Sequence, residues 1–510
     1  MRATEQMHGR AAREALQRGS KKVYDAVAPT LGARGRNAVY SRWNMPVVTN
    51  DGVSIAREVL PKDPYELLGA DLIKQAAERT NEEAGDGTTS TIILTHGLID
   101  AGFDAIENGG ENPMILRREI EEAKNEVVSK LKEISQPVDD LLEVAKISME
   151  NDEIAKLVTD VVTHVGPLGS ILVEEGHTFT TEVEKVKGYW FDRGYVSPYM
   201  VTNEKGEAEL TDCAIILTDR TLNLNKDLFK VLTEIHGKGF KSALVIGDKI
   251  EGELLQTMIA NKMNGTLVTV AVPRPASTEE LEDIACITNA TAVTKDKGIK
   301  DIGIEHVGVA PKVIVKKNKT IIIGRDSETL VARIENLKGQ IEDNKEKYGE
   351  IEQMKERLAR LTGGLAVIRV GAKTEAERGY WKLKIDDAVG ACRAAVEEGT
   401  VPGGGTALRD IASSMTLKTH GAQIVSNVLQ HPYARLLENA GIKSTANVNV
   451  LTGEEVMDMR AEGIVDPTKV VRCAIENAVS AATTVLTTET VIVTVPDASS
   501  AVESFKKLLS

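Results

Sequence analysis

The chain has 510 residues, 42% apolar but only 4% aromatic, and a formal net charge of −14. That length exceeds what one hydrophobic core supports and predicts two to four domains, with aliphatic cores and too much apolar content for disorder. The acidic balance and the lack of any Lys/Arg run exclude a nucleic-acid surface, which needs clustered cations against phosphates.

Cys213, Cys286, Cys392 and Cys473 lie far apart with no CxxC pair, so neither a disulfide framework nor a thiolate zinc site is indicated. The eight histidines form no HExxH or paired spacing. No stretch approaches 18 uninterrupted apolar residues, so no membrane partner is expected. Glu5 and Glu14 interrupt the arginines of the first 19 residues. The segment therefore reads as the start of a folded helix in a cytoplasmic protein rather than a transit peptide.

In chain order, from about Glu5 to Ala28 the spacing of Ala12, Leu16, Val23 and Val27 is mainly helical, and it leads to the loop Thr30-Leu31-Gly32-Ala33-Arg34-Gly35. Two short β-like runs, 37–40 and 47–49, precede the acidic turn Asn50-Asp51-Gly52. A helix over 67–80 separates this turn from Gly85-Asp86-Gly87-Thr88-Thr89-Ser90, after which a long buried helix runs to Asn108. The glycines of that second turn let a ligand approach the backbone, a helix N-terminus favours anionic oxygens, and Asp86 offers a hard oxygen to Mg²⁺. Taken alone, the string is more often an ordinary turn with a Thr/Ser helix cap. Helices over 114–134 and up to Ser148 follow. Then β-branched runs at 170–174, 214–217, 243–246 and 267–272 alternate with helices, which implies an α/β module. After strands at 313–315 and 320–323, two antiparallel helices joined near Asn344 to Tyr348 end at Gly363-Gly364, and a strand opens at Leu365. The last block carries Asp386-Asp387, Gly403-Gly404-Gly405 and Gly463-Ile464-Val465-Asp466-Pro467. Phosphate-type loops thus stand at both ends, which must meet around an inserted module, with connecting crossings near 135–187 and 365–397.

Six strings in this order resemble the group I chaperonins, the GroEL-like family: Thr30 to Asn37, Asp51 to Glu58, Ala84 to Thr89, Phe191 to Tyr199, Arg393 to Gly399 with Gly403 to Gly405, and Gly463 to Val470. The resemblance spans almost the whole chain. It implies an α/β multidomain fold: a mostly helical equatorial domain (1–134 and 398–510), an intermediate hinge domain (135–187 and 365–397) and an α/β apical domain (188–364). It also implies an ATP-dependent chaperone that binds and refolds non-native polypeptides in a homo-oligomeric ring of seven, single or double. ATP and Mg²⁺ are the implied cofactors, with K⁺ a further candidate and a co-chaperonin lid a candidate partner.

Residue by residue, the resemblance places Thr30, Leu31, Gly32, Asp51, Gly52, Gly87, Thr88, Thr89, Ile147, Ser148, Gly404, Asn449, Ile464 and Asp466 around the nucleotide. Asp86 is the implied metal ligand, and Asp51 and Asp387 the implied catalytic pair. The implied polypeptide face is Tyr195, Ser197, Tyr199, Met200, Phe229, Leu232, Leu255, Ile259 and Ala260; periodicity alone would also allow those stripes to face a core. Gly188 and Gly364 are the implied hinges, and Asp152 is paired with Lys384. Several positions depart from the family. Asn50 replaces a Lys before the first Asp-Gly, Ala33 replaces a Pro, and 502–510 form a short amphipathic end in place of a Gly-Gly-Met tail. Ala434 and Lys443 stand where a ring-to-ring Arg/Glu pair is usual, and a phage source suits such divergence. Two rivals stand beside this reading: a ring scaffold with a silent ATPase, opposed by the intact Asp51, Asp86 and Asp387, and a small-molecule kinase, opposed by the lack of an acceptor-substrate motif.

Overall fold

The helix Thr88–Glu107 buries Ile92, Ile93, Leu94, Leu98 and Ile99 completely, and a helix apolar on nearly every side can only be central. Pro64–Ala84 and Thr468–Leu486 pack along it, and Leu116, Ile120, Ile475 and Val485 continue the same core. These helices start where the local chemistry demands. Asp63 accepts from the Tyr65 N–H ahead of Pro64, and Asn112 accepts from the Met114 and Ile115 N–H groups ahead of Pro113. Each cap supplies an acceptor for a donor that has no intrahelical partner, and each proline sits where no N–H is required.

The structure is a computed structural model describing residues 3–495, apart from 43–44, 150, 167–168, 177, 187, 204–205, 225–227, 300, 325–327, 344–353, 355–356, 359 and 362–364. It divides into two compact units, Met1–Val162 with His177–Thr180 and Val370–Ser510, and Thr163–Gly176 with Thr181–Arg369. In the first unit the two ends of the chain meet directly: Ala3–His8 pairs antiparallel with Thr490–Val495, Ala3 opposite Val495 and His8 opposite Thr490. Val491 and Val493 turn inward from that ribbon. The runs read at 37–40 and 47–49 form a hairpin, Ala38–Arg42 with Met45–Thr49.

The second unit holds a six-stranded sheet in the order Val268–Pro273, Ser242–Gly247, Ala208–Leu217, Gly308–Val315, Thr320–Ile323, Gly188–Phe191. The first three are mutually parallel and the rest antiparallel. Every residue of Ser242–Gly247 is buried, as a strand covered on both faces requires. The helices Phe229–Gly237, Gly252–Met263, Thr278–Thr288 and Glu328–Asp343 belong to this unit. Asp283, itself wholly buried, ties the last two together by accepting from Arg333 at 2.8 Å and also receives Arg357 at 2.7 Å.

The α/β alternation and the fold class read from the sequence hold. Gly188 is a strand residue opposite Ile323, and a Cβ there would lie 2.7 Å from the Ile322 carbonyl oxygen. The Asn344–Tyr348 junction, Gly364 and the end segment 502–510 lie outside the described residues.

Candidate functional site

The turn between the helices Pro64–Ala84 and Thr88–Glu107 is built on two left-handed glycines, Gly85 at φ +75° and Gly87 at φ +87°. Residues with a Cβ pay for that conformation. Gly85 also meets Gly390 of the helix Glu375–Glu398 backbone to backbone: a Cβ on Gly390 would lie 2.6 Å from the Gly85 carbonyl oxygen. That contact lays the long helix across the turn, with Asp387 one helical turn before it. Asp86 accepts from the Gly87 N–H. No side chain caps the helix Thr88–Glu107, so its first N–H groups keep their donor capacity for a ligand.

Three more segments complete a cavity of about 950 Å³ within the first unit. The loop Thr30-Leu31-Gly32 is held by Asn439, whose Nδ2 donates to the Ala28 and Leu31 carbonyls at 3.1 and 3.0 Å. The helix Leu141–Ser148 ends on Ile147 and Ser148 at the rim. The strands Thr400–Pro402 and Val465–Pro467 pair with Val401 opposite Asp466, and Asp466 Oδ2 accepts from the Gly405 N–H at 3.4 Å.

Of the residues singled out in the sequence, Thr30, Leu31, Gly32, Asp86, Gly87, Thr89, Ile147, Ser148, Asp387, Gly404, Asn449, Ile464 and Asp466 line this cavity. Asp51, Gly52 and Thr88 do not. Asp51 caps the helix Gly52–Glu58, accepting from the Val53 and Ser54 N–H groups at 3.3 and 2.9 Å, and a Cβ on Gly52 would lie 2.5 Å from the Thr89 hydroxyl. Asp51 and Gly52 therefore stand behind Thr88-Thr89, and Thr88 itself is buried. Lys146 lines the cavity without being named in the sequence analysis; Gly405 and Lys384 line it too, although the sequence gives them only as part of the glycine run and as the implied partner of Asp152. The two lysines lie on amphipathic helices, where sequence alone cannot distinguish them from solvated positions. Asp152 lies 3.7 Å from Lys146, and the pair with Lys384 is not formed.

Burial pushes the Asp86 carboxyl above its ordinary value, while the Gly87 N–H and Lys384 hold it back. Burial, then the neighbouring Asp86, Asp51 and Asp386, push Asp387 up well above the ordinary range. Burial pushes Asp466 up to about 6. Three segments distant in sequence thus hold mutually repelling carboxyls at one cavity, a costly arrangement that a cationic ligand relieves.

In the second unit, Tyr199 is 69% and Phe229 62% exposed, and Ala260 is exposed as well. Tyr195, Leu255 and Ile259 are half-buried, whereas Ser197, Met200 and Leu232 are buried beneath them. The Met200 sulfur accepts from the Ala271 N–H at 3.2 Å. Met200 is thus a core residue, and Met263, exposed at the end of its helix, adds an apolar side chain not read from the sequence.

The chain matches the TCP-1/cpn60 chaperonin family over residues 23–496. It belongs to that family. It is accordingly an ATP-dependent chaperone with ATPase activity. Among solved structures, the chaperonin is similar to gp146 from the bacteriophage EL 2 (Pseudomonas aeruginosa), crystallised in the presence of ATP-BeFx. Crystal form II gives 22% identity and a TM-score of 0.69, and form I gives 23% and 0.64; each match covers 96% of this chain and 99% of that one. Among the described residues, no helix of the chaperonin is long and apolar enough to cross a membrane.

A pH dependence follows for the ligand-free chaperonin. A carboxyl whose folded pKa is raised binds more protons folded than unfolded, so stability falls as pH rises between the two values. For Asp466 that window runs from its ordinary 3.8 to about 6, and the loss persists above it. The cost is on the order of a few kcal/mol. Melting curves across pH 4–8 should show Asp466→Asn gaining on the wild type through this window; parallel curves would refute the assignment.

Proposed function

We propose that this chaperonin binds Mg·ATP in the cavity of its first unit, hydrolyses it there, and captures non-native polypeptide on the apolar face of its second unit. The observation that carries the reading is the convergence of Asp86, Asp387 and Asp466 on the uncapped N-terminus of the helix Thr88–Glu107. The volume suits a nucleotide-sized ligand. Among the described residues no three His, Cys, Asp or Glu side chains form a ready-made cage. Mg²⁺ needs none, since it takes one or two carboxylates together with phosphate oxygens and water. Asp86 would hold it, with K⁺ a further candidate, and the ion would neutralise charge on the transferring phosphoryl group. The amides of Gly87 to Thr89 receive phosphate oxygens, Asp387 orients the attacking water, and Asp466 accepts from ribose hydroxyls. Asp51 acts from behind Thr88-Thr89 by setting the charge felt at Asp86 and Asp387. Crystals of the similar phage chaperonin were grown with the nucleotide analogue ATP-BeFx, which supports the same use here.

The polypeptide face consists of Tyr199, Phe229, Leu255, Ile259 and Ala260 with Tyr195, supported from beneath by Ser197, Met200 and Leu232. The division into equatorial (1–134, 398–510), intermediate (135–187, 365–397) and apical (188–364) domains belongs to this reading. So does a cytoplasmic, GroEL-like ring of seven, single in at least one nucleotide state, with a lid co-chaperonin a candidate partner. Val39 and Val48, exposed opposite each other on the hairpin, offer apolar surface for a neighbouring subunit. Ala434 is exposed and Arg435 is spent on Glu438 of its own helix at 2.6 Å, which favours weak ring pairing. The test is phosphate release by the purified protein alongside sedimentation velocity and electron micrographs in apo, ADP and ATP conditions. ADP and free phosphate with ring particles are expected; a phosphorylated acceptor or a monomer in all three would sink the reading.

A further inference from the structure

The cavity of the first unit is lined by six acidic side chains, Asp86, Glu143, Asp152, Asp387, Glu462 and Asp466, against two cations, Lys146 and Lys384. An entering polyphosphate is repelled by such a wall unless a cation meets it. Lys146 is already engaged, 3.7 Å from Asp152 Oδ1. Among the described residues Lys384 forms no ion pair; its Nζ lies 5.9 Å from the centre of the Tyr380 ring. Lys384 and Asp387 are three residues apart on the helix Glu375–Glu398 and so share a face. The Gly85–Gly390 contact sets that face against the Gly85-Asp86-Gly87 turn. The charge of Lys384 is felt at both Asp86 and Asp387, which places it at the acidic end of the cavity.

We infer that Lys384 is a positioning residue that engages the terminal phosphate of a nucleoside triphosphate and so distinguishes triphosphate from diphosphate. This rests on the nucleotide reading above. Because Lys384 rides on the same rigid helix as Asp387, its engagement and the seating of Asp387 are one event. A diphosphate leaves Lys384 without that partner and the helix without that anchor.

Equilibrium calorimetry with Mg·AMP-PNP and Mg·ADP on the full chain tests the inference without turnover. Lys384→Met should weaken AMP-PNP about tenfold or more, the scale of a lost charge-assisted hydrogen bond, and ADP by less than about threefold. Lys384→Arg should retain most of the difference between the two nucleotides. Should Lys384→Met fold poorly by melting curve, Lys384→Gln carries the same comparison. Equal losses for both nucleotides, or none for either, would overturn the role of Lys384 while leaving the nucleotide site standing. A wild type that binds neither nucleotide would bring down the site and the inference together.

Discussion

Asp387→Ala binds Mg·AMP-PNP at least as tightly as the wild type and hydrolyses ATP about 10²-fold more slowly or worse. Positioning and proton acceptance each contribute on that scale, whereas the ground-state contribution of a carboxylate beside phosphates is repulsive. Asp387 is held above the ordinary carboxylate range by burial first and then by Asp86, Asp51 and Asp386. The ligand-free site therefore stores repulsion that a cation at Asp86 would relieve, tying ionisation of Asp387 to occupancy. The same physics separates this prediction from a folding defect, because removing a repelled buried charge should raise the melting temperature of ligand-free Asp387→Asn as its turnover falls. Single-turnover phosphate release beside equilibrium binding would decide the point. Unchanged turnover would remove Asp387 from the mechanism, and a lowered melting temperature would show that the carboxyl is not repelled in the ligand-free site.

Local chemistry made the turns legible. Gly85-Asp86-Gly87 announces itself because few other residues adopt φ near +80°, and Asp63-Pro64 and Asn112-Pro113 announce helix starts because cap and proline act within a few residues. What escaped is non-local. Ala3–His8 contains Glu5 and Gln6 and has no strand character of its own; it becomes a strand because Thr490–Val495, nearly the whole chain away, supplies the ladder. Periodicity identified the apolar stripes of the second unit but could not rank their positions by depth. Met200 and Leu232 went inside while Tyr199, Phe229 and Met263 stayed out. Asp51 was legible as an acidic turn, yet its carboxylate is occupied by the N–H groups of its own helix. Lys384 is the implied partner of Asp152, but Asp152 lies beside Lys146 and Lys384 lines the cavity, a placement that depends on which segments fold together and not on local sequence.

Gly390→Ala should damage the first unit's chemistry severely, although Gly390 carries no functional group. In a helix interior Ala gains about 1 kcal/mol over Gly. Against this, the new Cβ would meet the Gly85 carbonyl oxygen at 2.6 Å and its Cα and carbonyl carbon at 2.8 Å, all backbone atoms that cannot rotate aside. Overpacking of this kind costs about 1–3 kcal/mol, so the net loss of stability is small, about 0–2 kcal/mol. The larger effect is geometric. To clear the methyl, the helix Glu375–Glu398 must lift off the turn and carry Asp387 away from Asp86, and a displacement of about 1 Å costs on the order of 10²-fold in rate. Gly379→Ala, on the same helix with nothing within 4 Å of its Cβ, supplies the control: a small rise in stability and full turnover. If Gly390→Ala hydrolyses ATP as fast as Gly379→Ala, the Gly85–Gly390 contact does not set the register of Asp387.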